Sequence, residues 1–152
     1  MSWIKIEKDR NGKDRKVRMI NPNWQQDFNN SWINDGADKS LVEFAQSVGE
    51  YLAPLSPNDG NALSNSQIRN VFGEIKRLQM KGLTDNENRS SFYLLRAKVA
   101  YATGRNKTTG MVMFEKIFHK GWFLVDGDNK KFQNFCNFLE AILAYHRSFG
   151  GK

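Results

Sequence analysis

Cysteine and histidine are scarce in this chain, which contains one cysteine, Cys136, and two histidines, His119 and His146. A single cysteine cannot form an intramolecular disulfide, so the disulfide frameworks of small secreted domains are excluded. These three residues are also too few for a structural zinc site of the usual Cys/His type. Cys136 lies within an apolar helical stripe, where cysteine behaves as a small hydrophobe. We therefore predict a core position for Cys136 rather than a nucleophile paired with His119.

Long apolar runs and ligand-binding motifs are missing as well. Nothing approaches the roughly 20 apolar residues of a membrane span, and the first residues lack the apolar stretch of a signal peptide. We expect a cytoplasmic protein without a membrane partner. The sequence contains neither the phosphate-loop motif Gly-x-x-x-x-Gly-Lys nor the dinucleotide-binding motif Gly-x-Gly-x-x-Gly. A calcium loop counted from Asp126 fails, because Lys131 and Asn137 stand where glycine and glutamate are needed. No cofactor and no metal are expected.

The charge is unevenly distributed along the chain, whose net charge is +7. Residues 1–20 carry seven Lys/Arg against three Asp/Glu, and residues 63–107 carry nine against three. Between them, residues 21–62 carry one basic residue against six acidic ones. Clustered basic charge is typical of proteins that bind polyanions such as nucleic acid, although most basic proteins simply have a solvated basic face. Charge alone therefore leaves the partner open.

The apolar residues at positions 37–152 recur at helical spacing, which predicts a single all-α domain, a bundle of about five helices. Two of these helices are predicted to start with capping boxes, in which an N-cap serine is followed three residues later by Glu or Gln. The pairs are Ser40 with Glu43 and Ser64 with Gln67.

A later helix, predicted at about residues 90–103, is apolar on much of its circumference and is therefore expected to be central. Gly82 is predicted to end the helix before it, and Gly104 to end this one. A short helix is predicted at residues 111–119, and a turn at residues 126–129 leads into the last helix.

The first 36 residues form a basic extension that contains tryptophan. Apolar alternation on either side of Asn11-Gly12 predicts a hairpin with a type I′ turn, with a segment disordered until it meets a partner as the alternative. Trp24, Phe28 and Trp32 recur every four residues, which predicts one face of a single short helix.

Six cations on the two best-defined helices are the candidate nucleic-acid contacts. Arginine suits phosphate because its planar guanidinium donates two parallel hydrogen bonds. For each residue the alternative is a plain surface position or an ion pair within the chain. The aromatic residues Phe92, Tyr93 and Tyr101 nearby could stack on bases, although aromatic residues at helical spacing are more often part of the core. The six residues are Arg69, Lys76, Arg77, Arg96, Lys98 and Arg105.

Three blocks of the sequence resemble the small subunit of the type III-A (Csm) CRISPR effector complex. They are residues 63–69, residues 94–105 and the C-terminal run 135–152, which ends in Gly-Gly-Lys and is the most specific of the three. Residues 1–36 do not align with that family, and residues 106–131 match it poorly.

The resemblance implies a compact, non-catalytic bundle that stacks head to tail beside the guide RNA–target RNA duplex. It further implies contacts with the backbone and large subunits of the complex. Arg69, Arg96 and Arg105 match the family's motif arginines, which look suited to the RNA path. Lys76, Arg77 and Lys98 are added on charge and helix face only.

Two other classes of function stay open at this point. One is a helical protein–protein adaptor without RNA binding, present as a homodimer, since the Pro- and Gly-containing segment 54–61 could act as a hinge for domain swapping. The other is a small hydrolase whose carboxylates meet only in the fold.

Overall fold

The computed structural model describes residues 2–19 and 23–152. Its elements comprise two antiparallel strands, two single-turn helices and five longer helices. They are β1 (Ile4–Lys8), β2 (Asp14–Arg18), α1 (Trp24–Asp27), α2 (Ser31–Asn34), α3 (Lys39–Leu52), α4 (Asn65–Lys81), α5 (Asn86–Arg105), α6 (Thr109–Val125) and α7 (Asn129–Ser148). The predicted helical bundle is thereby confirmed, with one correction to the all-α class, because β1 and β2 form a small sheet.

The last helix, α7, is the centre of the bundle. It packs against α2, α3, α4 and α6, and its contact with α3 is the most extensive between any two helices described. Gly49 allows this close approach, since a Cβ atom at that position would lie 2.5 Å from Cβ of Tyr145. The α7 side chains in the core are mostly large and apolar. They are Phe132, Phe135, Cys136, Phe138, Leu139, Ile142 and Leu143.

Helix α5 lies at the edge of the bundle, so the prediction that it is central is wrong. Its main contacts are with α4 and α6. Only one stripe is buried, which includes Phe92, Leu95 and Val99, whereas Leu94 is 61% exposed and Tyr101 is 68% exposed. The sequence shows that two faces of α5 are apolar, but it does not show which of them has a partner.

The ends of α3 and α4 follow local capping chemistry. Asp38, not Ser40, is the N-cap of α3, and its carboxylate accepts the N–H of Leu41 at 2.9 Å. Ser40 instead donates its hydroxyl to the same carboxylate. At α4 the predicted capping box is present, and the N–H of Ser64 donates to the side chain of Gln67 at 2.9 Å. Gly82 is the C-cap of α4, as predicted.

Both ends of the loop between α5 and α6 differ from prediction. Gly104 lies inside α5, which continues to Arg105, so glycine did not end the helix there. Helix α6 begins at Thr109, after the N-cap Thr108, and is longer than the predicted 111–119. The turn that follows α6 is as predicted, and Asp128 caps α7.

The N-terminal hairpin forms, but its turn is not type I′. That turn needs a positive φ at both Asn11 and Gly12, and only Gly12 has one, at 79°. The N–H of Gly12 instead donates to the carbonyl of Asp9, and the Asp9 carboxylate accepts the N–H of Asn11 and of Lys13. A loop with a single left-handed glycine connects the strands as well as the predicted two-residue turn would.

The tryptophans before α3 pack on the core. Trp24, Phe28 and Trp32 are all buried, but they do not lie on one helix, because Trp24 is in α1, Trp32 is in α2 and Phe28 follows the end of α1. Phe28 has an extended backbone at the end of α1, which breaks the helix. Trp3 is also buried and packs edge-on against Phe44. The division into an extension at 1–36 and a domain at 37–152 stays a prediction.

Candidate nucleic-acid interface

The six predicted cations do not form one cluster, and five of them are spread over three surfaces of the bundle. Five of them form no ion pair with any residue of the described ranges. Those five, all exposed, are Arg69, Lys76, Arg96, Lys98 and Arg105. Their charges face solvent and are free to meet an anionic partner.

A groove between α4 and α5 carries Lys98 and Arg105. We call it the α4/α5 groove, and its volume is 820 Å³. Tyr101 forms part of its wall, and the guanidinium carbon of Arg105 lies 5.9 Å from the centroid of the Tyr101 ring. Gln67 and Asn70 line the groove from α4. The residues that line it include two cations and no carboxylate.

A second groove, the α4/α7 groove, carries Arg69 and Lys76. Its volume is 430 Å³, and it lies between α4 and the second half of α7. Arg147 from α7 completes a set of three cations there, and Glu140 adds one carboxylate. The sequence resemblance covered Arg147, yet helix spacing alone gave no sign that it faces Arg69 across the groove.

Arg96 lies on the third surface, where α5 meets α6. Its guanidinium carbon is 4.5 Å from the ring centroid of Phe123 and 5.4 Å from that of Trp122. Trp122 is held in turn by a hydrogen bond from its indole N–H to the carbonyl of Phe92, at 3.1 Å. The aromatic rings orient Arg96 and leave its charge in solvent.

Arg77 differs from the other five cations because it is paired. It donates two hydrogen bonds to Glu74, of 3.0 and 2.7 Å. These bonds hold the pKa of Glu74 below its usual value, in spite of partial burial. Arg77 is therefore the weakest of the six candidates, since a phosphate would have to compete with a carboxylate that is already bound.

The titratable groups described give no support to the hydrolase hypothesis. Each of the carboxylates with a resolved shift has a lowered pKa, as expected for ion pairs and helix caps rather than for a general acid. They are Glu7, Asp38, Asp59 and Glu74. Burial raises the pKa of the Cys136 thiol to about 12, and the core position predicted for this cysteine is confirmed.

Residues 2–19 and 23–152 contain neither a cluster of metal-binding side chains nor a helix suited to the membrane. No group of His, Cys, Asp and Glu side chains in these ranges could hold a metal ion. No helix there combines the length and the apolar character that crossing a membrane requires.

The chain matches the model of a known protein family. The family model described as Csm2 Type III-A matches residues 35–152. That match covers all five longer helices and every predicted cation, and it begins after the hairpin, α1 and α2. Comparison with curated proteins and with solved structures found no match.

Proposed function

The chain belongs to the Csm2 Type III-A family, the small subunits of type III-A CRISPR complexes, and from this premise we propose that it is a non-catalytic scaffold for RNA. Its place is in the cytoplasm, within the Csm complex. Its partners are the guide RNA and target RNA, the backbone and large subunits, and further copies of itself stacked along the RNA duplex.

The observation that carries the proposal is the set of unpaired cations at the two grooves. Arg69, Lys76 and Arg147 line one groove, and Lys98 and Arg105 line the other. Phosphates bound by such residues release condensed counterions, which makes binding favourable and dependent on salt. Contacts of this kind fix the position of RNA without reading its sequence. Sequence recognition is left to guide–target pairing.

Exposed apolar side chains favour a second candidate, the protein–protein adaptor. Met80 is 89% exposed, and Leu94 and Phe123 are each more than half exposed. Surfaces of this kind suit contacts with other subunits, which the scaffold also needs. An adaptor without RNA binding does not account for the two grooves lined with cations.

Domain swapping at segment 54–61 finds no support in the contacts of that segment. The N–H of Leu63 donates to the carbonyl of Leu52 at 2.8 Å, which closes the base of the loop. Within the loop, the Asp59 carboxylate accepts the N–H of Leu55 at 3.0 Å and also binds Arg18. A hinge for swapping should be free to extend, whereas this loop is held closed.

The test of RNA binding is fluorescence anisotropy with a labelled single-stranded RNA of about 40 nucleotides at several salt concentrations. Wild type is compared with the variant that combines Arg69→Ala, Arg96→Ala and Arg105→Ala. A control variant with the same loss of charge combines Lys39→Ala, Lys116→Ala and Lys130→Ala. These three lysines are exposed and line neither groove.

We expect wild type and the lysine control to bind with an affinity that falls steeply with salt. The arginine variant should lose most of the binding while keeping its helical circular dichroism. Equal losses in both variants would show that total charge matters and that these positions do not. The absence of binding by wild type at low salt would contradict the proposal for the free subunit.

A further inference from the structure

Tyr101 is an unusual residue for the surface of a helix. Its side chain is 68% exposed, and among the described residues its ring contacts no other aromatic ring. It stands over a groove whose apolar lining includes Val71, Ala97 and Ala102. An exposed aromatic face beside a small apolar floor can accept a planar partner by stacking.

The rim of the same groove is polar and carries amides. Gln67 and Asn70, one helical turn apart on α4, line it together with Asn106 at the end of α5. An amide side chain offers both a donor and an acceptor, the combination needed at the edge of a nucleobase. The amide of Gln67 is engaged within the chain, because its oxygen accepts the N–H of Ser64 at 2.9 Å and its nitrogen donates to the carbonyl of Asn106 at 3.4 Å. Asn70 is therefore the amide that we expect to meet the edge of a base.

The cations flank Tyr101 on one face of α5. Lys98 precedes it by three residues and Arg105 follows it by four, so all three share a side of the helix. Along the axis Lys98 and Arg105 are about 10 Å apart, since each residue of a helix rises about 1.5 Å. Long side chains at this spacing can reach phosphates on both sides of one nucleotide.

We propose that the α4/α5 groove is a subsite for one unpaired nucleotide of single-stranded RNA. The base stacks on Tyr101, the amide of Asn70 faces its edge, and Lys98 and Arg105 hold the adjoining phosphates. This inference rests on the proposed RNA-binding function and adds a contact with the base to it. Stacking tolerates any base, so the subsite is consistent with RNA binding that does not depend on sequence.

The charge of the groove favours RNA over a second protein chain as its occupant. Two cations and no carboxylate line it. The α4/α7 groove, in contrast, contains the carboxylate of Glu140, and its aromatic residue Phe72 is partly buried and packs against Phe114. Only the α4/α5 groove, of the two, presents an open ring to an anionic ligand.

The test uses the full-length protein and a short single-stranded RNA with one 2-aminopurine, whose fluorescence falls when the base stacks on an aromatic ring. A second oligonucleotide of the same length lacks all bases and keeps the phosphates. Tyr101→Ala removes the ring, and Tyr101→Phe keeps it. Leu94→Ala is the matched control, since Leu94 is 61% exposed on the same helix and lies outside the groove.

We expect quenching with wild type, Tyr101→Phe and Leu94→Ala, and none with Tyr101→Ala. The affinity of Tyr101→Ala for the RNA should fall by about tenfold, within the range measured for loss of one stacked base. Its affinity for the abasic oligonucleotide should equal that of wild type, because the phosphate contacts are intact.

Three results would overturn the subsite. If Tyr101→Ala binds and quenches like wild type, the base does not stack there, although RNA binding and the proposed function stand. If Tyr101→Ala weakens self-association in sedimentation and leaves RNA affinity unchanged, the groove holds a second copy of the chain. If wild type binds neither oligonucleotide at low salt, the subsite fails together with the proposed function.

Discussion

Nε2 of His146 lies 2.7 Å from the carbonyl oxygen of Leu63, and the imidazole is fully buried. A carbonyl oxygen only accepts hydrogen bonds, so Nε2 carries the proton. Gly151 packs directly on this ring, where any side chain would clash. The carbonyl of Lys152 then accepts the N–H of Asn65 at 2.8 Å, which ties the C-terminus to the start of α4. The terminal Gly-Gly-Lys therefore closes the bundle over His146.

The burial of His146 and the partial burial of His119 predict that the protein becomes less stable as the pH is lowered. Burial lowers the pKa of His146 below 6.5, and the charge of Arg147 adds to this, although the bond to Leu63 opposes it. Burial likewise lowers the pKa of His119. Between these lowered values and 6.5, the unfolded chain binds more protons than the folded one, so the free energy of unfolding decreases as the pH falls. Urea unfolding at pH 7.5, 6.5 and 5.5 should show this decrease.

The variant His146→Gln tests whether His146 causes the pH dependence of stability. It should be less stable than wild type at pH 7.5, because the buried contact with Leu63 is altered. Its urea midpoint should nevertheless change less between pH 7.5 and 5.5, since one titrating group is gone. If the urea midpoint of wild type stays constant or rises as the pH is lowered from 7.5 to 5.5, these histidines do not titrate as argued.

The close contact between α3 and α7 predicts that one methyl group added at Gly49 lowers the free energy of unfolding considerably. Gly49→Ala places a Cβ atom 2.5 Å from Cβ of Tyr145 and 2.7 Å from the backbone nitrogen of His146, so the helices must separate. We expect a loss of about 1–3 kcal/mol in the free energy of unfolding, as for other overpacked cores. Gly73→Ala is the control, because it lies in α4 with nothing within 4 Å of the added atom. It should stabilise the protein by about 0.5–1 kcal/mol.

Thermal unfolding of the two glycine variants measures both effects. The melting temperature should fall for Gly49→Ala and rise slightly for Gly73→Ala. Similar shifts for the two would mean that helix propensity outweighs the close approach of α3 and α7.

The ion pair between Arg18 and Asp59 predicts that the hairpin contributes to stability. The guanidinium donates to Asp59 at 2.7 Å and to the carbonyls of Tyr51 and Ala53, and both ion-pair partners are only 10% exposed. Burial alone would raise the pKa of Asp59, but the hydrogen bonds from Arg18 and from two backbone N–H groups hold it low. Arg18→Ala leaves that carboxylate buried without its partner.

The expected loss for Arg18→Ala is about 3–5 kcal/mol in urea unfolding. Lys5→Ala removes a hairpin cation whose ion pair with Glu7 is about half exposed, and it should change stability by less than about 1 kcal/mol. If Arg18→Ala is as stable as Lys5→Ala, the hairpin is not anchored to the core through Arg18.

Cys136 should be unreactive in the folded protein. Burial raises the pKa of its thiol to about 12, so almost no thiolate is present at pH 8. A colorimetric thiol reagent such as Ellman's reagent should react slowly with the native protein and at once in 6 M guanidinium chloride. Rapid labelling of the native protein would show that the core position of Cys136 is open to solvent.

Sequence periodicity predicted the bundle well because burial repeats at helical spacing. The stripe that includes Ile68, Val71 and Ile75 is buried as expected, and Gly82 ends α4. Periodicity predicted burial less well on α5, where an apolar face can be either buried or exposed. Leu94 and Tyr101 look like a second core face, and only the tertiary packing shows that no helix within residues 2–19 and 23–152 covers them.

The sequence also predicted only part of the candidate site. Helix spacing placed Arg69 and Lys76 on one face, and both line the α4/α7 groove. It could not show that Arg147 meets them from a distant part of the chain, because a single sequence does not contain that contact. The pair between Arg77 and Glu74 is local, since the two residues are three apart on α4, and helix spacing could have indicated it.

The most direct test of the account measures the target-RNA affinity of the assembled Csm complex. Complexes are prepared with wild type, with the arginine variant (Arg69→Ala, Arg96→Ala, Arg105→Ala) or with the lysine control, and each is titrated at several salt concentrations. We predict that all three proteins co-purify with the complex. The arginine variant should weaken RNA binding and reduce the salt slope by about 2, since each phosphate contact contributes about 0.7. Equal affinities and slopes for all three, or failure of wild type to co-purify, would contradict the account.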